Sequence, residues 1–166
     1  MTKEKDPYLE EDLREIVAEN EIDWEALAGC SVLVTGSTGL IGSLLVKALC
    51  MANQTLTFCK EKPIRVVALI RSRKKAEEVF GPLYTEEAFS CVVADLMQEE
   101  FVVKGEVDYI LHAAAQTASK EMVEHPVETI RTAVKGTEHL LALAAQKKVR
   151  GIVYLSSMEV YGSFLD

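Results

Sequence analysis

The apolar residues of this chain follow two alternating patterns. Short continuous runs of Val, Ile, Leu and Ala are typical of strands that are buried on both faces of a parallel sheet. These runs predict strands at Ser31–Thr35, Ile64–Ile70, Cys91–Ala94, Tyr109–His112 and Ile152–Leu155. Apolar residues at helical spacing predict helices at Leu40–Met51, Arg73–Phe80 and Val127–Lys147. The alternation of strand and helix predicts right-handed βαβ units in an α/β fold with a doubly wound parallel sheet.

The residues before the first strand carry a helical pattern of their own. Pro7 suits the first position of a helix, and a second short helix is predicted to begin at Asp23 and to end by Gly29. We therefore expect a helical extension over residues 1–29, lying on the sheet, and a sheet domain over residues 30–166.

Two further expectations concern the helical layer. The stretch Ala52–Pro63 predicts a long connection that runs over the surface before the second strand. In the last predicted helix, one apolar stripe is expected to pack on the sheet, and it consists of Ile130, Val134, Thr137, Leu141 and Ala144.

A glycine-rich turn joins the first predicted strand to the helix that follows. The segment is Gly36-Ser37-Thr38-Gly39-Leu40-Ile41-Gly42. Glycines at such a junction let backbone N–H groups approach a pyrophosphate, and the helix N-terminus adds a favourable partial positive charge. The first glycine permits the tight turn, the second the approach of the phosphates and the third the packing of helix on strand. The turn therefore predicts dinucleotide binding, the alternative being a purely structural turn.

Composition and charge narrow the possible functions. The chain has 166 residues and a formal net charge of −8, which argues against binding to nucleic-acid phosphates or to an anionic membrane. No apolar run approaches the roughly 20 residues of a membrane span, and no signal peptide is recognised, so a cytoplasmic protein is expected. The four cysteines are expected to be reduced thiols, and no spacing of His, Cys, Asp or Glu predicts a metal site.

Several segments, in the same order along the chain, resemble the short-chain dehydrogenase/reductase superfamily and its extended branch of nucleotide-sugar epimerases and dehydratases. Besides the glycine turn, they are Ala94-Asp95-Leu96, Leu111-His112-Ala113-Ala114-Ala115-Gln116-Thr117, Lys135-Gly136-Thr137 and Val153-Tyr154-Leu155-Ser156-Ser157-Met158-Glu159-Val160-Tyr161-Gly162. The resemblance implies a Rossmann domain in which Asp95 and Leu96 contact the adenine. It also implies that Ala113, Ala114 and Ala115 line the cofactor beyond the pyrophosphate.

The end of the second predicted strand bears on the choice of cofactor. An acidic residue there binds the ribose 2′-hydroxyl of NAD, whereas arginine accommodates the 2′-phosphate of NADP. This chain has Arg71 and Arg73 at that point, so NADP is favoured over NAD. The alternative is that both arginines are a solvated basic start to the next helix.

The resemblance also implies one catalytic residue. Ser157, with Ser156 as the rival assignment, corresponds to the serine that hydrogen-bonds the substrate oxygen. The family's acid/base tyrosine belongs to a Y-x-x-x-K pair, and none of the five tyrosines has Lys four residues later. Family members commonly carry asparagine in the helix where this chain has Thr132 and Ala133, so a proton relay there is absent or depends on Thr132.

Taken together, the sequence predicts the NAD(P)-binding portion of a nucleotide-sugar epimerase or dehydratase, truncated before the C-terminal substrate lobe. We expect this chain alone to be inactive, because it lacks the Y-x-x-x-K pair. We also expect a homodimer, because the last strand would be an exposed sheet edge. Two alternatives stay open. One is a non-catalytic NAD(P)-binding sensor or docking module, and the other is an NADP-dependent reductase of a non-sugar carbonyl.

Overall fold

Five parallel strands form one sheet in the order β3-β2-β1-β4-β5 in this computed structural model, which describes residues 7–98, 101–115 and 119–162. The strands are β1 (Ser31–Thr35), β2 (Arg65–Ile70), β3 (Phe89–Val93), β4 (Tyr109–His112) and β5 (Gly151–Tyr154). The helices are α1 (Pro7–Ala18), α2 (Trp24–Leu27), α3 (Leu40–Thr55), α4 (Thr57–Glu61), α5 (Arg73–Phe80), α6 (Ser119–Glu124) and α7 (Pro126–Lys147). Two 3₁₀ turns cover Gly81–Thr85 and Met158–Tyr161.

The strand order reverses its direction at β1. The chain builds outward from β1 through β2 to β3, and then returns to the other side of β1 to add β4 and β5. Val32 of β1 is in register with Val66 of β2 on one side and with Tyr109 of β4 on the other. A parallel sheet with such a reversal has a crevice at the carboxyl ends of its two central strands, here β1 and β4.

Each face of the sheet is covered, as a doubly wound fold requires. Val32 and Val34 of β1 point into a cluster that includes buried residues of α1 to α5, among them Val17, Trp24 and Phe80. Leu33, between them, points into a second cluster with α7 and the segment before β4. The predicted doubly wound parallel sheet is therefore confirmed. The division of the chain at residue 29 stays a prediction.

The expected long connection over Ala52–Pro63 does run along the surface for most of its length, with residues 54, 55, 57 and 60–63 exposed, but it is largely helical. Helix α3 continues to Thr55, and α4 follows directly, with the side chain of Cys59 fully buried. The side-chain amide of Asn53 donates to Ile64 O at 2.9 Å and accepts from Ile64 N at 2.8 Å. The pair holds the end of α3 against the start of β2.

The expected buried stripe of α7 is mostly wrong. Ile130, Val134 and Leu141 are more than half exposed, at 63%, 62% and 52%. The helix instead buries Gly136, Leu140, Leu143 and Ala144. Only Ala144 belongs to both sets. The helix carries two overlapping apolar stripes, and helical periodicity alone does not decide which of them meets the sheet.

In the described part of the chain, no helix combines the length and apolar composition of a bilayer-spanning segment.

Candidate functional site

A cavity of about 610 Å³ opens at the carboxyl ends of the central strands. Its lining comes from the β1–α3 turn, from the ends of β2, β3 and β4, and from the first two turns of α7. It therefore occupies the crevice where the strand order reverses, the usual position of ligands in open α/β sheets.

The β1–α3 turn forms the floor of this cavity and requires glycine. Gly36 has φ +62°, and a Cβ there would lie 2.5 Å from the carbonyl carbon of Ala113 and 2.7 Å from Ala114 N. A Cβ on Gly42 would lie 2.7 Å from the carbonyl carbon of Gly36 and 2.9 Å from Ser37 Cα. The first glycine thus lets β1 approach the loop after β4, and the third lets α3 pack onto the turn.

Helix α3 presents its N-terminus to the cavity without a side-chain cap. Its N-cap is Gly39, which has no side chain to accept from the first N–H groups, and its first turn has no acidic residue. Thr38, Gly39, Leu40, Ile41 and Gly42 all line the cavity. The N–H groups of a first helical turn have no partner within the helix, so this end of α3 can accept an anion.

Ser37 is placed differently from the rest of the turn. Its side chain is fully buried, and its hydroxyl donates to Leu69 O at 2.8 Å. It is not among the residues that line the cavity. The hydrogen bond joins the turn to β2, so Ser37 supports the turn from below.

Basic side chains stand at the end of β2. Arg71, predicted to bind the cofactor, is exposed and lines the cavity, whereas Arg73 begins α5 outside the lining. Ser72 caps α5 by accepting from Lys75 N at 3.3 Å, and Lys75 lines the cavity together with Arg71. Lys75 was not predicted as a site residue, although it belongs to the same basic run as Arg71 and Arg73.

Asp95 and Leu96 follow β3 at the next wall. Asp95 lines the cavity, and its side chain accepts from Met97 N at 2.9 Å in a local turn. Leu96 is 9% exposed and also packs on α7, where a Cβ on Gly136 would lie 3.3 Å from Leu96 Cβ. The small residue in α7 lets the helix approach this wall closely.

The end of β4 supplies a buried histidine and a run of alanines. Ala113, Ala114 and Ala115 line the cavity together with His112, which is 3% exposed. Burial lowers the pKa of His112. The rest of this motif, Gln116 and Thr117, lies outside the described residues.

The opposite wall is the start of α7. Thr132 and Ala133 line the cavity where the family pattern has asparagine, and Thr132 donates its hydroxyl to Glu128 O at 2.8 Å. Three other residues of this wall were not predicted from the sequence, namely His125, Glu128 and Thr129. Threonines spaced three residues apart at a helix start were the only signal for them.

The serines predicted for catalysis follow β5. Leu155 N donates to His112 O at 3.0 Å, which extends the β4–β5 pairing up to these residues. Ser156 and Ser157 are both exposed, and neither is among the residues that line the cavity. Their catalytic role stays a prediction.

Within the described ranges, no group of three or more His, Cys, Asp or Glu residues is arranged to hold a metal ion.

Comparisons with known proteins agree with this geometry. The model of the NAD dependent epimerase/dehydratase family matches residues 32–166. The dTDP-glucose 4,6-dehydratase of Streptomyces antibioticus is 32% identical over 135 residues, which are 80% of this chain and 39% of that protein.

Two solved structures extend the comparison. A double mutant of the dTDP-glucose 4,6-dehydratase DesIV of Streptomyces venezuelae, solved with NAD bound, matches with TM-score 0.67 and 26% identity, over 80% of this chain and 41% of that one. The yeast methylglyoxal/isovaleraldehyde reductase Gre2, solved with NADPH, matches with TM-score 0.57 and 25% identity, over 76% and 37%. The chain thus spans about two fifths of the length of these relatives.

Proposed function

The chain belongs to the NAD-dependent epimerase/dehydratase family, and we propose that it is the NAD(P)-binding portion of an enzyme that epimerises or dehydrates a nucleotide sugar. The observation that carries this proposal is the glycine turn, which opens on a cavity of about 610 Å³ at the reversal point of the sheet. Cavities that hold small ligands are typically about 300–1,000 Å³.

The residues present fit a dinucleotide. Gly36 and Gly42 let the turn pack closely against the loop after β4 and against α3, so that its backbone lines the cavity, and the uncapped end of α3 suits the linked phosphates. Asp95 suits the adenine end, and Ala113 to Ala115 suit the opposite end. When bound, a nicotinamide dinucleotide supplies a hydride acceptor and donor. The contribution of this chain is to bind that group and to orient it.

The proposal includes a preference for NADP. Arg71 and Lys75 both line the cavity, and the residues directly after β2, Arg71 to Lys75, include no acidic side chain. A guanidinium forms paired, charge-assisted hydrogen bonds with a phosphate, and the lysine adds a second positive charge. These two side chains support binding of a 2′-phosphate.

Catalysis is proposed for the longer enzyme and not for these residues alone. Ser157 is assigned as the hydrogen-bond donor to the substrate oxygen, with Ser156 as the rival. The chain lacks a tyrosine with lysine four residues later. Without that acid/base pair we expect no turnover from these 166 residues.

A cytoplasmic setting and a homodimer complete the proposal. The four cysteines are free thiols, and reducing compartments preserve thiols in that state. Strand β5 is an edge of the sheet that the described residues form, and Val153 and Tyr154 on it are exposed. Exposed strand edges favour pairing with a second chain.

Calorimetric titration with NADP⁺ and NAD⁺ tests the binding proposal. The variant Leu40→Asp tests whether the phosphates bind at the N-terminus of α3. Leu40 is 83% exposed at the first position of α3, where a carboxylate stabilises the helix but repels a bound phosphate. We expect saturable binding, tighter for NADP⁺, that Leu40→Asp weakens by about tenfold or more and Leu40→Asn weakens far less. Absence of saturable binding of both dinucleotides to the unmodified chain would contradict the proposal.

A second candidate is an NADP-dependent reductase of a non-sugar carbonyl. The basic pair Arg71 and Lys75 favours it, as does the likeness to a reductase solved with NADPH. A screen of the full-length protein separates the two candidates. Steady consumption of NADPH with a simple aldehyde supports the reductase, whereas conversion of a nucleotide sugar without net consumption of cofactor supports the epimerase or dehydratase.

A further inference from the structure

His112 connects two walls of the cavity through both of its ring nitrogens. Its Nδ1 lies 2.6 Å from the hydroxyl oxygen of Thr35 on β1. Its Nε2 lies 3.2 Å from the hydroxyl oxygen of Thr137 on α7. Thr35 also accepts from Ala114 N at 3.3 Å, so the contacts reach the alanine run that lines the cavity.

The hydroxyl partners determine which nitrogen carries the proton. Thr137 donates its hydroxyl proton to Ala133 O at 2.7 Å, so only its lone pairs face His112. Nε2 must therefore carry a hydrogen and donate it. On the other side, Thr35 accepts from Ala114 and has its own proton free to donate to Nδ1. The hydrogen bonds then run in one direction, from Ala114 N–H to Ala133 C=O, with a neutral ring between them.

The other two forms of the ring fit less well. With the proton on Nδ1, lone pairs of Nε2 and Thr137 would face each other, and the Thr35 proton would have no acceptor among the described residues. An imidazolium would leave that proton without an acceptor in the same way, and burial opposes its charge. The titratable ring that packs against His112 is that of Tyr154, with centroids 5.3 Å apart. The other charged or titratable side chains that line the same cavity are Arg71, Lys75, Asp95, His125 and Glu128.

We propose that His112, in its neutral Nε2–H form, is a positioning residue that holds the Ala114 wall and the Ala133 wall of the cavity in the arrangement that binds the dinucleotide. The inference rests on the proposed function, since it concerns the same cavity. The glycine turn depends on the same loop, because Gly36 lies against the backbone of Ala113 and Ala114. A shift of that loop would therefore reach the proposed phosphate site.

Nitrogen-15 NMR of the ligand-free protein tests the hydrogen-bond direction without any cofactor. Long-range proton–nitrogen spectra distinguish the two tautomers and the imidazolium, and His112→Asn identifies the signals. We expect the Nε2–H tautomer, still neutral near pH ~6.5, where an unperturbed histidine gains its proton. An Nδ1–H tautomer or an imidazolium at neutral pH overturns the proposal.

Thr137→Val and Thr137→Ser test whether the hydrogen bonds affect binding. Valine removes the acceptor of Nε2 and serine keeps it. We expect Thr137→Val to change the tautomer signals and to weaken NADP⁺ affinity by about tenfold, with Thr137→Ser within about twofold of the unmodified protein. If the tautomer changes and the affinity does not, the positioning role is wrong.

Two further outcomes are distinguishable. If the unmodified protein binds neither dinucleotide, the proposed function fails, and the positioning role, which rests on it, fails with it, whereas the tautomer remains readable. If Thr137→Val does not fold, the unmodified protein is titrated with acid instead, and its NADP⁺ affinity is measured at each pH. NADP⁺ affinity must then fall as the His112 signals report protonation, and constant affinity through that change overturns the proposal.

Discussion

The ideal Cβ position of Gly42 lies 2.7 Å from the carbonyl carbon of Gly36, so the backbone of the first glycine in the turn leaves no space for a side chain at the third. Helix α3 cannot keep its contact with the turn if position 42 carries a side chain. We predict that Gly42→Ala lowers the free energy of unfolding by about 1–3 kcal/mol and weakens dinucleotide binding. Urea titration and calorimetry measure the two effects.

Gly81→Ala is the matched control for this substitution. A Cβ on Gly81 meets no atom within 4 Å, and its φ is not positive. We expect its stability to stay within about 0.5 kcal/mol of the unmodified protein. Equal unfolding midpoints for Gly42→Ala and the unmodified protein would show that the turn tolerates a side chain there.

Arg71 and Arg73 form a second matched pair. Both follow β2, but only Arg71 lines the cavity. We predict that Arg71→Ala weakens NADP⁺ binding by about tenfold and changes NAD⁺ binding little, because only NADP⁺ carries the 2′-phosphate. Arg73→Ala should leave both affinities near their original values. Calorimetric titrations of the two variants with both dinucleotides decide the matter, and an equal loss in the two variants would assign the effect to general positive charge.

The parts of the fold that could be predicted from sequence are those in which local signals agree with the tertiary structure. Strands β1 and β4 and helix α5 have the predicted bounds, because each is a clear apolar run or a capped helix. The glycine turn was recognisable because it stands between a strand and a helix, where its backbone reaches the carboxyl edge of the sheet.

The remaining features depend on contacts between distant segments. Asn53 near the end of α3 pairs with Ile64 just before β2, which a periodicity pattern does not reveal. Helix α7 packs closely against Leu96 through Gly136, a contact that helical periodicity does not reveal. Lys75 reaches the cavity because α5 begins directly after β2, and this direction is set by the fold rather than by local sequence.

Trp24 provides a test of how far the N-terminal helices contribute to the core. It is 7% exposed within the first cluster, and its indole Nε1 has no hydrogen-bond partner among the described residues. We predict that Trp24→Ala lowers the free energy of unfolding by about 3–5 kcal/mol, since it leaves a large cavity. Trp24→Phe should keep the free energy of unfolding within about 1 kcal/mol of that of the unmodified protein, because it also removes the buried indole donor. Urea unfolding of both variants tests this, and similar losses in the two would mean that Nε1 is satisfied.

The buried His112 predicts a pH dependence of stability. Because burial lowers its pKa, the unfolded chain gains a proton there at higher pH than the folded chain. The free energy of unfolding therefore falls as the pH decreases from about 6.5 to the lowered pKa of the folded protein. Urea midpoints measured from about pH 8 to about pH 5 should show this decrease, and His112→Asn should reduce it. The exposed His125 provides the control, since His125→Asn should keep the decrease in stability. If stability falls with pH as steeply in His112→Asn as in the unmodified protein, other titratable groups cause the decrease.

Self-association follows from the stripe that α7 leaves exposed. Val134 and Leu141 lie on this stripe, and Tyr154 of the edge strand β5 lines the same shallow groove. An apolar surface next to a strand edge that no described residue pairs with favours association, and we expect a second copy of this chain to cover it. We predict a concentration-dependent dimer in sedimentation velocity experiments.

Leu141→Lys should shift that dimer toward the monomer, because it introduces a charge into the apolar groove. Ala142→Lys adds the same charge at the neighbouring exposed position of α7, outside the groove, and should leave the equilibrium unchanged. A pure monomer at every concentration would contradict the dimer. Equal dissociation by both lysines would show that the contact is not specific to this groove, since a lysine reduces the net charge of −8 and by itself lowers the repulsion between two copies.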